Sequence, residues 1–166
     1  MNSADALRLE ASLKKQIDMF SNLRMDPDPK ASLETVCHAL VWACSLDEWH
    51  EKNAFAKNST PGGRDAYRNM RDSDACGKYM LGIRYARNRS VHQFADVLKV
   101  VGGACFPISF AAPLFEILWR PIIELPTADP KYVSPTNEAA YRQHLEETPV
   151  RFALDALKHF FGQIRP

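Results

Sequence analysis

Apolar side chains recur at intervals of three and four residues along most of the chain, with charged residues between them. This spacing places them on one face of an α-helix, and it predicts amphipathic helices over residues 4–25 and from Pro29 to about Phe55. A shorter helix is predicted over residues 64–70 and a longer one over residues 74–100. The apolar stripes of the first two helices are Leu7, Leu13, Ile17, Phe20 and Leu23, followed by Leu33, Val36, Cys37, Leu40, Val41 and Cys44.

The pattern changes after residue 101, because seven of the 11 prolines fall between positions 107 and 149. Proline has no amide hydrogen to donate, and its ring clashes with the preceding helical turn, so long helices are excluded here. The apolar segments Phe106–Phe110 and Phe115–Ile123 are predicted to be short strands or extended packing segments. Helical spacing returns over residues 137–146.

Together these elements predict an all-α fold. It is a bundle of about five helices with a proline-rich, irregular excursion over residues 101–148 that has room for short β strands. A closing helix is predicted over residues 149–162. A length of 166 residues with 46% hydrophobic and 25% charged side chains is typical of one folded domain that buries a core without disulfides or metals. We therefore predict a single domain over residues 1–166.

Composition also bears on location and cofactors. No apolar run reaches the roughly 20 residues of a membrane-spanning helix, and the first residues lack the basic-then-apolar layout of a signal peptide. We therefore expect a cytoplasmic protein without membrane contact. The cysteines form no CxxC pair and no Cys/His cluster, so we expect reduced core cysteines, no metal ion and no cofactor. They are Cys37, Cys44, Cys76 and Cys105.

The 21 basic and 20 acidic side chains give a formal net charge of +1, which argues against a protein that coats nucleic acid by bulk electrostatics. The charge is unevenly distributed, however, since residues 57–92 carry a net charge of +5 and the remainder −4. A local basic site for RNA is therefore compatible with overall neutrality. We predict that Tyr67 with Arg64, Arg68 and Arg71 extends such a basic surface, and we interpret Asp47, Glu48 and Glu51 with His50 as a solvated helix end.

The helix predicted over residues 74–100 carries the side chains best suited to chemistry. Arg87 falls on its apolar arc, where a guanidinium is costly unless it bonds a carboxylate or helix carbonyls, or faces a ligand or another subunit. Asn88 and His92 lie four residues apart on one flank. Arg84, one turn before them, and Asp96, one turn after, complete a column of side chains. Asp96 would orient the imidazole, and Arg84 or Arg87 would hold an anion beside it, an arrangement that suits phosphoryl chemistry. The apolar arc consists of Cys76, Met80, Ile83, Val91, Phe94 and Leu98.

Residues 87–92 read Arg-Asn-Arg-Ser-Val-His, which resembles the R-N-x-x-x-H signature of the HEPN superfamily. Members of that superfamily are small all-α domains, typically dimeric, and many are metal-independent endoribonucleases of toxin–antitoxin, antiviral or RNA-processing systems. Their pattern is an arginine, four to six residues and then a histidine, with a polar residue such as asparagine directly after the arginine. The helices predicted over residues 4–100 are similar to the bundle of the family, whereas the excursion at 101–148 is not covered by the resemblance.

The resemblance implies a mechanism and site residues for a HEPN-like domain. His92 would act as general base or acid for attack of an RNA 2′-hydroxyl on the adjacent phosphate. Arg87 would neutralise the transition state, and Asn88 would position the scissile group or the histidine. The products implied are a 2′,3′-cyclic phosphate and a 5′-hydroxyl, formed without a metal ion.

The same helix carries the residues predicted to bind the substrate, which are Arg84, Tyr85 and Arg89. Among them Tyr85 is the candidate for stacking on a base. The partners that the resemblance implies are RNA, a second copy of the chain, and an antitoxin or regulatory protein.

One geometric requirement accompanies this hypothesis. Arg87 and His92 are five residues apart, so on a straight helix they point about 140° away from each other. They can share one phosphate through a helix distortion, through the reach of a long side chain, or through a composite site with a second protomer. Two alternatives stay open: a catalytically inactive HEPN-like binding or assembly module, and an unrelated helical protein whose residues 84–92 bind an anion or a partner.

Overall fold

The computed structural model describes residues 3–23, 29–54, 63–93, 95–102 and 115–164. Within these ranges the chain forms six α-helices and one two-stranded antiparallel sheet, which confirms the predicted all-α class. The elements are α1 (Ser3–Leu23), α2 (Pro29–Trp49, continued by a π-helical turn, His50–Ala54), α3 (Gly63–Ser73), α4 (Tyr79–Gln93), β1 (Leu98–Gly102), β2 (Phe115–Trp119), two 3-10 turns (Ile122–Glu124 and Pro130–Tyr132), α5 (Pro135–His144) and α6 (Val150–Gln163). The segment Phe106–Phe110 and Cys105 lie outside the described residues.

The core forms where α2 packs against α1 and α4, with α6 closing over α1 and α4 and α5 lying along α4. The predicted stripes are confirmed in part, since Leu13, Ile17 and Phe20 of α1 are buried, as are Val36, Leu40 and Cys44 of α2, whereas Leu33 and Cys37 are half-buried. Leu7 and Val41 depart from the prediction and are exposed. The described cysteines, Cys37, Cys44 and Cys76, are free thiols.

Helix α4 ends at Gln93, about two turns before the end predicted from the sequence. The amide of Ala95 donates to the carbonyl of Arg89 (3.0 Å), a six-residue closing bond of the kind that terminates helices. The carboxylate of Asp96 then accepts from the amide of Leu98 (3.2 Å), and β1 begins there. Valine is favoured in strands, and the run Val97–Val101 suits β1 better than a helix. The strand pairs Leu98 with Trp119 and Gly102 with Phe115.

The excursion is therefore partly regular, because it supplies β2 and α5. Its close packing on α4 depends on Gly82, where an added Cβ would lie 2.9 Å from Cδ1 of Leu145 and 3.2 Å from Cα of Tyr141. The hydroxyl of Tyr141 donates to the carbonyl of Arg120 (2.7 Å) and ties α5 to the end of β2. This packing brings residues 126–132 over the C-terminal half of α4.

Asp47 and His50 at the acidic end of α2 are buried, which corrects the interpretation of a solvated helix end, whereas Glu48 stays partly exposed. Asp47 is completely buried, and its carboxylate accepts hydrogen bonds from three side chains of other helices. The hydroxyl of Tyr67 on α3 lies 2.7 Å from Oδ1, Nη1 of Arg71 on α3 lies 3.0 Å from Oδ2, and Nε of Arg84 on α4 lies 2.7 Å from Oδ2. The carboxylate is compensated by cations that come from remote positions in the chain, so one buried charge joins α2, α3 and α4.

The basic surface predicted around Tyr67 does not form, because its members turn toward these acidic residues. Tyr67 and Arg71 are buried. Arg68 donates to Glu51 through Nε (3.0 Å), and Arg84 reaches the same carboxylate through Nη2 (3.0 Å). Of the four residues of this predicted surface, Arg64 and Arg68 are exposed to solvent.

His50 is buried beside this cluster and behaves as an aromatic packing residue. Its ring stacks against Tyr67 (centroids 5.9 Å apart) and against Phe161 (6.0 Å apart). Burial lowers the pKa of His50 to about 4, although the nearby negative charge of Asp47 acts in the opposite direction. The imidazole is therefore uncharged in the folded protein at neutral pH.

Asp47→Asn is expected to lower the free energy of unfolding by about 3 kcal/mol. Removing one partner of a buried ion pair costs about 3–5 kcal/mol, and the lower end applies here because Asp72 and Glu51 still contact Arg71 and Arg84. Urea unfolding followed by circular dichroism measures the change. The matched control is Asp18→Asn, which breaks an exposed pair with Lys158 and is expected to cost under about 1 kcal/mol. Equal small losses in both variants would contradict the buried network.

His50→Phe is expected to flatten the pH dependence of stability between pH 6.5 and about pH 4. In wild type the unfolded histidine gains a proton below its ordinary pKa of 6.5, while the folded one stays neutral down to about pH 4. Stability is therefore fully present above pH 6.5 and falls as the pH drops through this window, by at most about 1.4 kcal/mol per pH unit for one proton. Urea unfolding at a series of pH values measures the slope. The control is His159→Phe, which replaces an exposed histidine and should keep the wild-type slope. If His50→Phe also keeps that slope, His50 is not held neutral by its burial.

Candidate active site

Arg87 and His92 meet on the C-terminal half of α4, within one chain. Nη1 of Arg87 lies 3.4 Å from Nε2 of His92. The guanidinium can only donate, so this contact requires Nε2 of His92 to accept and the ring proton to be on Nδ1. The long arginine side chain thus reaches the histidine across the five-residue separation within one chain.

Glu48 of α2 holds the other side of the guanidinium. Nη2 of Arg87 donates to Oε1 of Glu48 (3.0 Å), and the two side chains are 22% and 42% exposed. An arginine on the apolar arc of α4 is thereby paired with a carboxylate and still reaches the surface. In the sequence, Glu48 belongs to the acidic end of α2. It lies 39 residues from Arg87, so no local pattern predicts the contact between them.

Behind the guanidinium lies the buried thiol of Cys44. Burial raises the pKa of Cys44 to about 11, and the positive charges of Arg87 and Arg84 oppose this rise without cancelling it. Because the thiolate is the nucleophilic form, this cysteine is an unreactive core residue at neutral pH. The reactive groups of the site are therefore those of Arg87 and His92.

Tyr132 lies against the exposed imidazole of His92. The two rings are stacked, with centroids 5.1 Å apart and planes 8° apart. The side-chain amide of Asn88 donates through Nδ2 to the backbone carbonyl of Tyr132 (3.1 Å). No local pattern in the sequence indicates Tyr132, since it belongs to a 3-10 turn of the excursion and lies 40 positions beyond His92.

The predicted column of side chains along α4 is split by the structure. Asn88 and His92 share one flank, as predicted, and both contact Tyr132. Asp96 lies beyond the end of the helix and pairs with Arg120 (3.2 Å), and Arg84 is bonded to Asp47 and Glu51. The expectation that Asp96 orients His92 is therefore corrected, while the contact of Arg84 with RNA stays a prediction for a side chain that is bonded to two carboxylates.

Tyr85 and Arg89, the other two residues predicted to bind the substrate, are buried in the folded chain. Tyr85 is 2% exposed and its ring packs on Tyr141 with centroids 4.9 Å apart. Arg89 is 1% exposed and donates through Nη1 to Oε1 of Gln93 (3.0 Å) and through Nη2 to the carbonyl of Pro126. Both face the excursion, whose packing could not be foreseen from the helical arc of α4.

We call residues 126–132 the strap, because they cross the last two turns of α4 and are attached at three levels. Arg89 holds the carbonyl of Pro126. The amide of Asp129 donates to Oε1 of Gln93 (3.0 Å). At the far end, Asn88 and His92 contact Tyr132. The strap therefore forms one wall of the candidate site.

An exposed imidazole beside a guanidinium is suited to bind an anion and to move a proton next to it. Lys131 of the strap adds a further positive charge, with Nζ 5.4 Å from the centroid of the Tyr132 ring. Over the ranges that the structure describes, no group of three His, Cys, Asp or Glu side chains is arranged to hold a metal ion. No helix in those ranges is long and apolar enough to cross a membrane.

Comparison with protein-family models, with curated proteins and with solved structures finds no match to this chain.

Arg89→Leu is expected to release the strap while leaving the bundle folded. A hydrogen bond to a charged group contributes about 1.5–3 kcal/mol, so the amides of Asp129 and Tyr132 should exchange with solvent at least about tenfold faster. Hydrogen exchange followed by mass spectrometry measures this. The control is Arg142→Leu, which removes an exposed pair with Glu138 on α5. Unchanged protection of the strap in Arg89→Leu would show that the buried guanidinium does not anchor it.

Proposed function

We propose that the chain is a metal-independent endoribonuclease of the HEPN type, which cleaves RNA by attack of the 2′-hydroxyl on the adjacent phosphate. The observation that carries this proposal is the contact between Arg87 and His92. A guanidinium lies 3.4 Å from the accepting nitrogen of an exposed imidazole, which puts a cation and a base at one point on the surface.

In the proposed reaction, the guanidinium of Arg87 turns from Nε2 of His92 to the phosphate, and Nε2, whose single lone pair is then free, accepts the proton of the 2′-hydroxyl. The 2′-oxygen forms a bond to phosphorus, the bond from phosphorus to the 5′-oxygen breaks, and the leaving 5′-oxygen takes a proton from solvent water, while His92 later returns its own to solvent. Arg87 compensates the negative charge that builds on the phosphate oxygens. The products are a 2′,3′-cyclic phosphate and a 5′-hydroxyl. DNA lacks the nucleophile, so it is not a substrate.

The proposal includes a homodimer, which rests on the resemblance. The contact of Arg87 with His92 and its pairing with Glu48 are complete within one chain. A second copy is thus not required to assemble one base and cation, and its role would be to bring two such pairs into one cleft. Val91, next to His92 and 45% exposed, is an apolar side chain that such a contact would cover. The other proposed partners are RNA and an antitoxin or regulatory protein. The proposed location is the cytoplasm.

The alternative is a catalytically inactive HEPN-like binding or assembly module. The observation that favours it is the internal bonding of the motif, since Arg87 is paired with Glu48 and Asn88 with the carbonyl of Tyr132. In that case the motif holds α4 to α2 and to the strap, and His92 has no chemical role.

The test is incubation of purified protein with mixed RNA in the presence of a chelator, with analysis of the product ends. Wild type is expected to give 2′,3′-cyclic phosphate and 5′-hydroxyl ends. His92→Ala is expected to lower the rate by about 10²–10⁴-fold, the usual contribution of general acid–base catalysis. His92 is exposed, so its removal should leave the unfolding free energy nearly unchanged.

The matched control is His159→Ala, which removes an exposed histidine on α6 and should cleave as wild type does. An unchanged rate in His92→Ala would reject the catalytic assignment. RNA binding by wild type without any cleavage would favour the inactive module. A substrate with a 2′-deoxy group at the cleaved position should be resistant, and its cleavage would reject the proposed nucleophile.

A further inference from the structure

The strap gives the excursion a role at the site, because it contacts α4 at the two motif residues that face away from the core. His92 is exposed, and an exposed histidine side chain ordinarily samples several rotamers. Here its ring lies flat against Tyr132, with only 8° between the two planes. The stack holds the plane of the imidazole, and within that plane the contact of Nε2 with Arg87 selects the edge that faces the guanidinium.

The side-chain amide of Asn88 is hydrogen-bonded to the strap, and this bond indicates what Asn88 does at the site. Its Nδ2 donates to the carbonyl of Tyr132 at 3.1 Å, so the amide is occupied by the backbone of the residue that stacks on His92. The side chain is half-buried beneath the strap. It is therefore better placed to hold Tyr132 than to contact a phosphate.

We propose that Tyr132 is a positioning residue that holds the His92 imidazole beside Arg87, and that Asn88 acts through Tyr132. This inference rests on the proposed function for its effect on RNA cleavage, while the orientation of the ring is a property of the protein alone. Asn88 anchors the backbone of the strap, the strap presents the aromatic ring, and the ring fixes the base.

The first experiment observes the His92 ring directly, without RNA. In NMR spectra of protein that is isotopically labelled at histidine, the signals of the His92 ring protons are identified because they are absent from the spectrum of His92→Ala. They are expected to resonate upfield in wild type, because the Tyr132 ring lies over them. Tyr132→Phe should keep this shift, and Tyr132→Ala should move the signals toward those of a free histidine.

The chain offers a matched control in Tyr79 and His144, a second tyrosine–histidine pair with ring centroids 5.8 Å apart at the other end of α4. Tyr79→Ala should change the His144 signals and leave those of His92 in place. If Tyr132→Ala leaves the His92 signals unchanged in folded protein, the stacking is not what holds the ring and the inference is overturned.

The second experiment measures RNA cleavage. Tyr132→Ala is expected to lower kcat by about 10- to 100-fold with little change in KM, since small displacements of a catalytic group have effects of this size. Tyr132→Phe should restore the rate, and Tyr79→Ala should have no effect. Full activity of Tyr132→Ala, with displaced His92 signals, would overturn the positioning role.

The role of Asn88 is tested by combining variants. If Asn88 acts through Tyr132, then Asn88→Ala should lower the rate when alone and add nothing further in Tyr132→Ala. A full additional loss in the double variant would mean that Asn88 contacts the substrate itself, which overturns this part. If wild type cleaves no RNA, the proposed function fails, and the His92 signals alone decide whether Tyr132 fixes the ring.

Discussion

The buried carboxylate of Asp47 is the constraint to which most of the helical arrangement is tied. It has no exposed surface, and an isolated charge in such a position would be strongly unfavourable, so α3 and α4 must both supply donors to it. This requirement fixes how α4 lies against α2. Arg84 reaches Asp47, and one turn later Arg87 reaches Glu48, the neighbour of Asp47 in the chain. The buried ion pair of Arg84 with Asp47 thus sets the position of the pair of Arg87 with Glu48, on which the candidate site depends.

The same network changes the meaning of the charge distribution. Over the described residues 63–92, the basic segment does not present its charge to solvent as one surface, because Arg71 and Arg84 are used to compensate the acidic end of α2. Near the motif, the part of the chain that the structure describes has a small polar group at its surface, formed by Arg87, His92 and Lys131. A site of this size suits one or two phosphates, and it is unlike the extended basic face of a protein that coats nucleic acid.

The strap shows how an irregular segment can be ordered by few contacts. Pro126 and Pro130 each restrict the backbone before folding, which lowers the conformational entropy that is lost when the strap docks. Three attachments to α4 then suffice: the carbonyl of Pro126, the amide of Asp129 and the backbone and ring of Tyr132. The prolines that exclude a long helix here also favour the conformation that brings an aromatic ring to His92.

The sequence alone determined the helical class, the apolar faces of α1 and α2, and the grouping of Arg87, Asn88 and His92, because helical periodicity and motif spacing are local properties of a chain. Only the tertiary structure decided where α4 ends, which arginines are buried, and which residues flank the motif. The sequence predicts a solvated Asp47 and a substrate-binding Arg89. Both are buried, and each is bonded to a partner 37 residues away, Arg84 for Asp47 and Pro126 for Arg89. Compensation of a buried charge depends on which helices pack together, and neither Glu48 nor Tyr132 is marked by its neighbours in the sequence as a partner of the site.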